Sequence, residues 1–212
     1  MRTPPKLSDL HEWLRWRVNE LAVTHSTANP GTAMCLIWGH RTPSEQNTAY
    51  KAGRSKLDGV RKFSLHNYLP SLAADVWVYS GADDEDDVLY EGRPPKSDGL
   101  SLELLQKGSL RRWYIPMGGL AKDVGLEAGA LWLTFRDGPH VQVPKAERMK
   151  LVQDALNAKG FDVGPSDGII GPRTKAAIQK AKEESGLTKP FKSRLMPVSP
   201  SLWAWLHGEG LA

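Results

Sequence analysis

The chain is poor in cysteine: Cys35 is the only one among 212 residues. One thiol cannot close an internal disulfide, and no zinc site built from several thiolates is available. Its apolar neighbours Met34 and Leu36 mark it as a buried, inert side chain rather than a nucleophile. Long hydrophobic runs are also missing. Nothing approaches the roughly 18–20 apolar residues that cross a bilayer, so no membrane span is expected. The opening stretch MRTPPKLSDLHEWLRWRVNEL has early positive charge but no continuous apolar segment. It does not read as a secretory signal, and synthesis in the cytoplasm is expected. There is no Lys/Arg block, zinc finger or RNP motif, so nucleic acid is not an expected partner. The helical zinc motif HExxH is absent as well.

What is present is a globular composition, 40% hydrophobic and 25% charged. The length suits one ordinary domain plus a small one. The formal net charge of +4 and pI of about 9.1 favour an anionic polymer such as a bacterial envelope.

Periodicity supplies the elements. Over residues 7–24, Leu10, Trp13, Leu14, Val18 and Leu21 share a helical face, with Ser8 as expected N-cap and Asn29-Pro30-Gly31 as breaker. The apolar run AMCLIWG (33–39) predicts a buried strand. Thr42 before Pro43, with Glu45 three residues on, predicts a capping box opening a helix that runs to about Lys51. Strands are expected at 73–79, at ALWLTF (130–135) and at 140–143, the last after an Asp-Gly-Pro turn. The acidic run Asp83–Asp87 reads as a solvated loop; a weak calcium site is the sharper alternative, though its spacing is not that of an EF-hand. Beyond Val143 the pattern becomes helix, Gly-rich loop, helix, then a short helix with Leu202, Trp203 and Leu206. The expected fold is α+β: a small antiparallel sheet with flanking helices over 1–143, a bridge at 144–148, and a small three-helix domain over 149–212.

A hydrolytic zinc site needs three N or O ligands and one open position. His66, Asp75 and His140 each border an expected strand, and adjacent strands could bring them together. Asp137, three residues before His140, could serve there as general base. Singly, a His beside a strand is more often a structural residue and an Asp before Gly a turn former. Spacing alone leaves both readings open.

Three ordered motifs add weight: GHRTPSEQNTAYKAGRS, SLHNYLPSLAADV and LWLTFRDGPHVQ. Together they resemble the zinc D-alanyl-D-alanine carboxypeptidase and L-alanyl-D-glutamate peptidase family, most closely its phage endolysin branch, over about residues 7–142. The resemblance implies one zinc ion held by His66, Asp75 and His140, with Asp137 as catalytic base. It implies that Arg41 pairs with the substrate and the developing oxyanion, and that Ser64 binds the substrate backbone. The His-to-Asp spacing is longer than in many members, and the base is Asp where the carboxypeptidases more commonly have Glu.

The stretch VQDALNAKGFDVGPSDGIIGPRTKAAI resembles the peptidoglycan-binding repeat of cell-wall hydrolases. Its signature residues are Asp167, Gly168, Gly171, Pro172 and Thr174. As wall-binding residues these are Asp167, Gly168, Gly171 and Thr174; on a bland reading they only build a helix–loop–helix. The implied partner is bacterial peptidoglycan, and the implied enzyme is a monomeric endolysin cutting the L-alanyl–D-glutamate bond. It would reach the wall after holin-type release and lyse the host. A D-alanyl-D-alanine carboxypeptidase and a non-catalytic wall-binding or virion protein are the alternatives.

Overall fold

The computed structural model describes residues 5–80, 89–91, 103–104, 113–134 and 136–209. The expected acidic loop Asp83–Asp87 lies outside them. In chain order the elements are α1 (Glu12–Ala28), β1 (Thr32–Trp38), α2 (Pro43–Lys51), β2 (Ala73–Ser80), β3 (Leu89–Glu91) and β4 (Glu103–Leu104). There follow α3 (Ile115–Asp123), β5 (Glu127–Ala128), β6 (His140–Gln142), α4 (Lys145–Ala158), α5 (Pro172–Ser185) and α6 (Pro200–Leu206). No helix among the described residues is long and apolar enough to cross a membrane. Contacts group the chain into two compact units, residues 1–40 with 73–143, and residues 41–72 with 144–212.

The first unit is built on a sheet of order β3-β1-β2-β6-β5, with β4 also on β2. The path β1-β2-β6-β5 is antiparallel throughout, as expected, while β3 joins β1 in parallel. β1 is apolar at nearly every position because both its faces are covered: Ala33, Met34, Cys35 and Leu36 are all fully buried. Of these, Met34 and Leu36 each contribute about 1.5–3 kcal/mol on leaving water. Burial pushes the Cys35 thiol up to about 12, as befits an inert core residue.

α1 buries Leu14, Val18, Leu21, Ala22 and His25 along one stripe. Two expectations are corrected here. The N-cap is His11, whose Nδ1 accepts the Trp13 N–H at 3.2 Å, because Ser8 lies in a separate 3-10 turn, Leu7–Asp9. The helix also runs past residue 24 to Ala28. The hydroxyls of Thr24 and Thr27 donate back to the carbonyls of Glu20 and Val23, which accommodates them in the helix. Over 130–134, the described part of the expected strand at 130–135, no strand forms either. Gly129–Leu131 makes a 3-10 turn, closed by Trp132 N–H donating to Gly129 O at 3.1 Å, and Leu133 is 94% exposed. The run is apolar, but its residues split between core and surface.

The second unit contains α2, α4, α5 and α6. The Thr42–Glu45 capping box forms as expected, with Pro43 in the first turn. α4 buries Leu151, Val152, Ala155 and Leu156, and α5 buries Ala177, Ile178 and Ala181. α4 opens at Lys145, so residues 145–148 form its first turn. Gly186, at φ 71°, closes α5 in the left-handed conformation. Trp203 of α6 is fully buried and stands edge-on to Tyr68, ring centroids 6.4 Å apart.

Candidate metal centre

Asp75 and His140 are direct partners across the antiparallel β2–β6 pair. Side chains opposite each other in such a pair project to the same face. Here His140 Nδ1 lies 3.0 Å from Asp75 Oδ1. His140 and Gln142 are two apart on β6 and also share a face. The other ring nitrogen, Nε2, lies 3.0 Å from Gln142 Oε1. Both imidazole nitrogens are therefore engaged in a buried setting. The Trp132 ring flanks the imidazole at 5.2 Å between centroids, and its indole N–H donates to Glu127 Oε1 at 3.1 Å. Burial pulls the His140 pKa down, but hydrogen bonding and the charge of Asp75, with help from Gln142 and Asp137, outweigh it and leave the ring above its ordinary value.

Asp137 stands at the start of the turn that delivers His140. Its carbonyl accepts the His140 N–H at 3.3 Å, and its own N–H donates to Gly129 O at 3.1 Å. The approach is close: a Cβ on Gly129 would sit 2.6 Å from Asp137 O. Only glycine fits there without shifting the turn. The turn is tied to β2 as well, Val76 N–H donating to Pro139 O at 2.9 Å.

His66 lies in a 3-10 turn, Leu65–Asn67, capped on both sides. Ser64 Oγ accepts the His66 N–H at 3.3 Å, and Asn67 Oδ1 accepts the Ser64 N–H at 2.9 Å. Ser64 is itself buried, so its hydroxyl oxygen serves as the cap of this turn. Arg41 is fixed to the same turn through its backbone. Its N–H donates to His66 O at 2.7 Å, and its carbonyl accepts from Asn67 Nδ2 at 2.9 Å.

Among the described residues, His66, Asp75 and His140 form a group of buried side chains whose ligand atoms lie within 4.8 Å of one another. Two imidazole nitrogens and one carboxylate oxygen are the donor types of a hydrolytic zinc site. At about 3.0 Å, Asp75 Oδ1 and His140 Nδ1 need a proton or a cation between them to avoid lone-pair repulsion. The residues thus fit the ion. Gln142 and Trp132 went unnoticed in the sequence. Strand alternation marks Gln142 as sharing the face of His140; Trp132 lies in the same motif, LWLTFRDGPHVQ, but no pattern gives it a role.

The glycine-rich loop of the second unit is organised by one side chain. Gln153, buried on α4, accepts the Gly168 N–H at 2.7 Å and donates to Asp167 Oδ1 at 2.9 Å. It also reaches Ile169 O at 3.2 Å and Thr174 Oγ1 at 3.4 Å. Gly168 has φ 79°, and a Cβ there would meet Ala146 O at 3.0 Å. Gly171 is the extended N-cap before Pro172, which opens α5. Asp167, Gly168, Gly171 and Thr174 are thereby placed in the loop's own framework. Ile169, between them, points outward at 68% exposure.

Comparison with known proteins bears on the family of the chain. Residues 145–189 match the peptidoglycan binding domain family PG_binding_1. The peptidoglycan L-alanyl-D-glutamate endopeptidase CwlK of Bacillus subtilis (strain 168) is 30% identical over 155 residues, covering 66% of this chain and 76% of its own length. Among solved structures, the Serratia marcescens L-Ala D-Glu endopeptidase ChiX matches at 23% identity and a TM-score of 0.42, covering 66% of this chain and 85% of that one. On the identity and coverage shared with CwlK, the chain belongs to the L-alanyl-D-glutamate peptidase family, and it carries a peptidoglycan-binding domain at 145–189.

Proposed function

We propose that the protein is a zinc-dependent endopeptidase that hydrolyses the L-alanyl–D-glutamate bond of the peptidoglycan stem, as a phage-type endolysin acting on the host wall. The carrying observation is the buried His66–Asp75–His140 group, two imidazoles and a carboxylate with ligand atoms within 4.8 Å. These three residues would hold the ion. Bound there, zinc would supply Lewis acidity toward the scissile carbonyl and a more acidic water. The rest of the chemistry belongs to the chain. The Asp137 carboxylate accepts the proton of the attacking water and returns it to the leaving amine. The Arg41 guanidinium pairs with substrate oxygen, where its planar fork suits a carboxylate or a developing oxyanion. Trp132 shields one face of His140 from water. The 145–189 domain holds the enzyme on peptidoglycan and raises the local substrate concentration.

Asp137→Ala tests the assignment of roles. The variant should retain zinc, measured as metal per folded chain, and retain sedimentation with purified walls. Its turnover should drop by about 10²–10⁴-fold. Turnover at the unmodified rate would remove Asp137 from the mechanism. Release of free D-alanine by the unmodified protein would favour a D,D-carboxypeptidase instead.

A further inference from the structure

The match to the wall-binding family ends at residue 189, yet the chain continues through an ordered tail. That tail supplies the anchors of the segment bearing His66. Ahead of His66, Phe63 packs on Phe191, ring centroids 5.8 Å apart. Behind it, the Tyr68 hydroxyl donates to Val198 O at 3.2 Å, and its ring stands edge-on to Trp203 at 79°. The Trp203 indole N–H then donates to Pro70 O at 2.9 Å. Leu72 N–H donates to Leu65 O at 3.3 Å, closing the loop. Tyr68 and Trp203 are fully buried. Phe191, Val198 and Trp203 all lie beyond residue 189.

We infer that the tail over residues 190–206 is a clamp on the His66 segment, so that it positions a metal ligand in addition to completing the helical unit. The inference rests on the zinc reading above. A tail that served only the wall-binding domain would have no reason to spend the buried Trp203 and its indole N–H on Pro70, or to offer the Val198 carbonyl to the buried Tyr68. Trp203 and Tyr68 are positioning residues: they act on the site only through the backbone that carries His66. A ligand held in place before the ion arrives binds it more tightly than one that must first be ordered.

Amide hydrogen exchange on the unmodified protein, with and without zinc, tests this directly. The expected result is that zinc raises protection at 65–72 and at 199–206 together, although 199–206 contains no proposed ligand. Trp203→Phe keeps an aromatic ring but loses the indole N–H together with part of the buried bicyclic bulk. It should bind zinc about tenfold more weakly in competition with a chromophoric chelator, the size of one buried hydrogen bond. It should also slow hydrolysis of a soluble stem peptide and of intact wall by the same factor. Trp205→Ala, whose ring packs instead on Phe161 inside the matched domain, should leave zinc affinity unchanged. Exchange at 199–206 that ignores zinc, or a Trp203→Phe defect confined to intact wall, would overturn the clamp. Failure of the unmodified protein to bind zinc would instead remove the zinc reading, and the clamp with it.

Discussion

At the residue scale, the imidazole of His140 is held at both ring nitrogens. Asp75 meets one ring nitrogen and Gln142 the other, each at 3.0 Å, and Trp132 covers a face. With Gln142 Oε1 accepting from Nε2–H, Nδ1 is left as the nitrogen able to bind a cation beside Asp75. Gln142→Met, which removes the acceptor but keeps the length, should therefore weaken zinc binding about 10–100-fold. Gln142→Glu should restore most of it. Chelator competition measures both, and equal affinity in the Met variant would show that Gln142 does not orient the ring. The ligand types were legible in the sequence because three motifs occur in order. The partners of those ligands were not. Alternation along a strand tells which face a residue takes, but whether Gln142 turns its amide toward His140 is a rotamer choice made by packing.

At the element scale, local rules read well where one principle dominated. The Thr42-Pro43-Ser44-Glu45 stretch encodes its own helix start, and both reciprocal hydrogen bonds of the box are present. Thr42→Ala should cost about 1 kcal/mol, measured as a shift in the denaturant midpoint. The buried strands β1 and β2 were evident from their β-rich apolar runs. The run at 130–135 misled because apolarity alone cannot separate a strand from a turn that presents Leu133 to solvent. The end of α1 misled because Thr24 and Thr27 continue a helix when their hydroxyls find carbonyls one turn back, while the Ser26 hydroxyl donates forward to Thr32 O.

The same helix carries a pH-sensitive element. Neither ring nitrogen of His25 has a hydrogen-bond partner among the described residues, and burial lowers its pKa to about 4. The folded state thus keeps His25 neutral where the unfolded chain, titrating near 6.5, takes up a proton. Stability falls as pH drops from about 6.5 toward 4, by up to about 1.4 kcal/mol per pH unit from this one group. In His25→Leu that slope should disappear from denaturant midpoints measured across the window. An unchanged slope would place the acid sensitivity elsewhere.

At the scale of the whole molecule, the sequence suggested a peptidase part followed by a helical wall-binding part. The contacts group residues 41–72 with the C-terminal helices. That grouping depends on pairs such as Tyr68–Val198 and Trp203–Pro70, about 130 residues apart in the chain. No periodicity or cap encodes such pairs, which is why local reading missed them. On the proposed function, two activities aimed at one polymer are carried on a chain whose net positive charge suits an anionic envelope.

The most direct test of the whole account is digestion of purified peptidoglycan, with and without a chelator, followed by mass spectrometry of the new termini. The account predicts new L-alanine carboxyl ends and D-glutamate amino ends, abolished by the chelator and restored by added zinc. New L-alanine ends that persist undiminished in excess chelator, or no new ends at all, would contradict it.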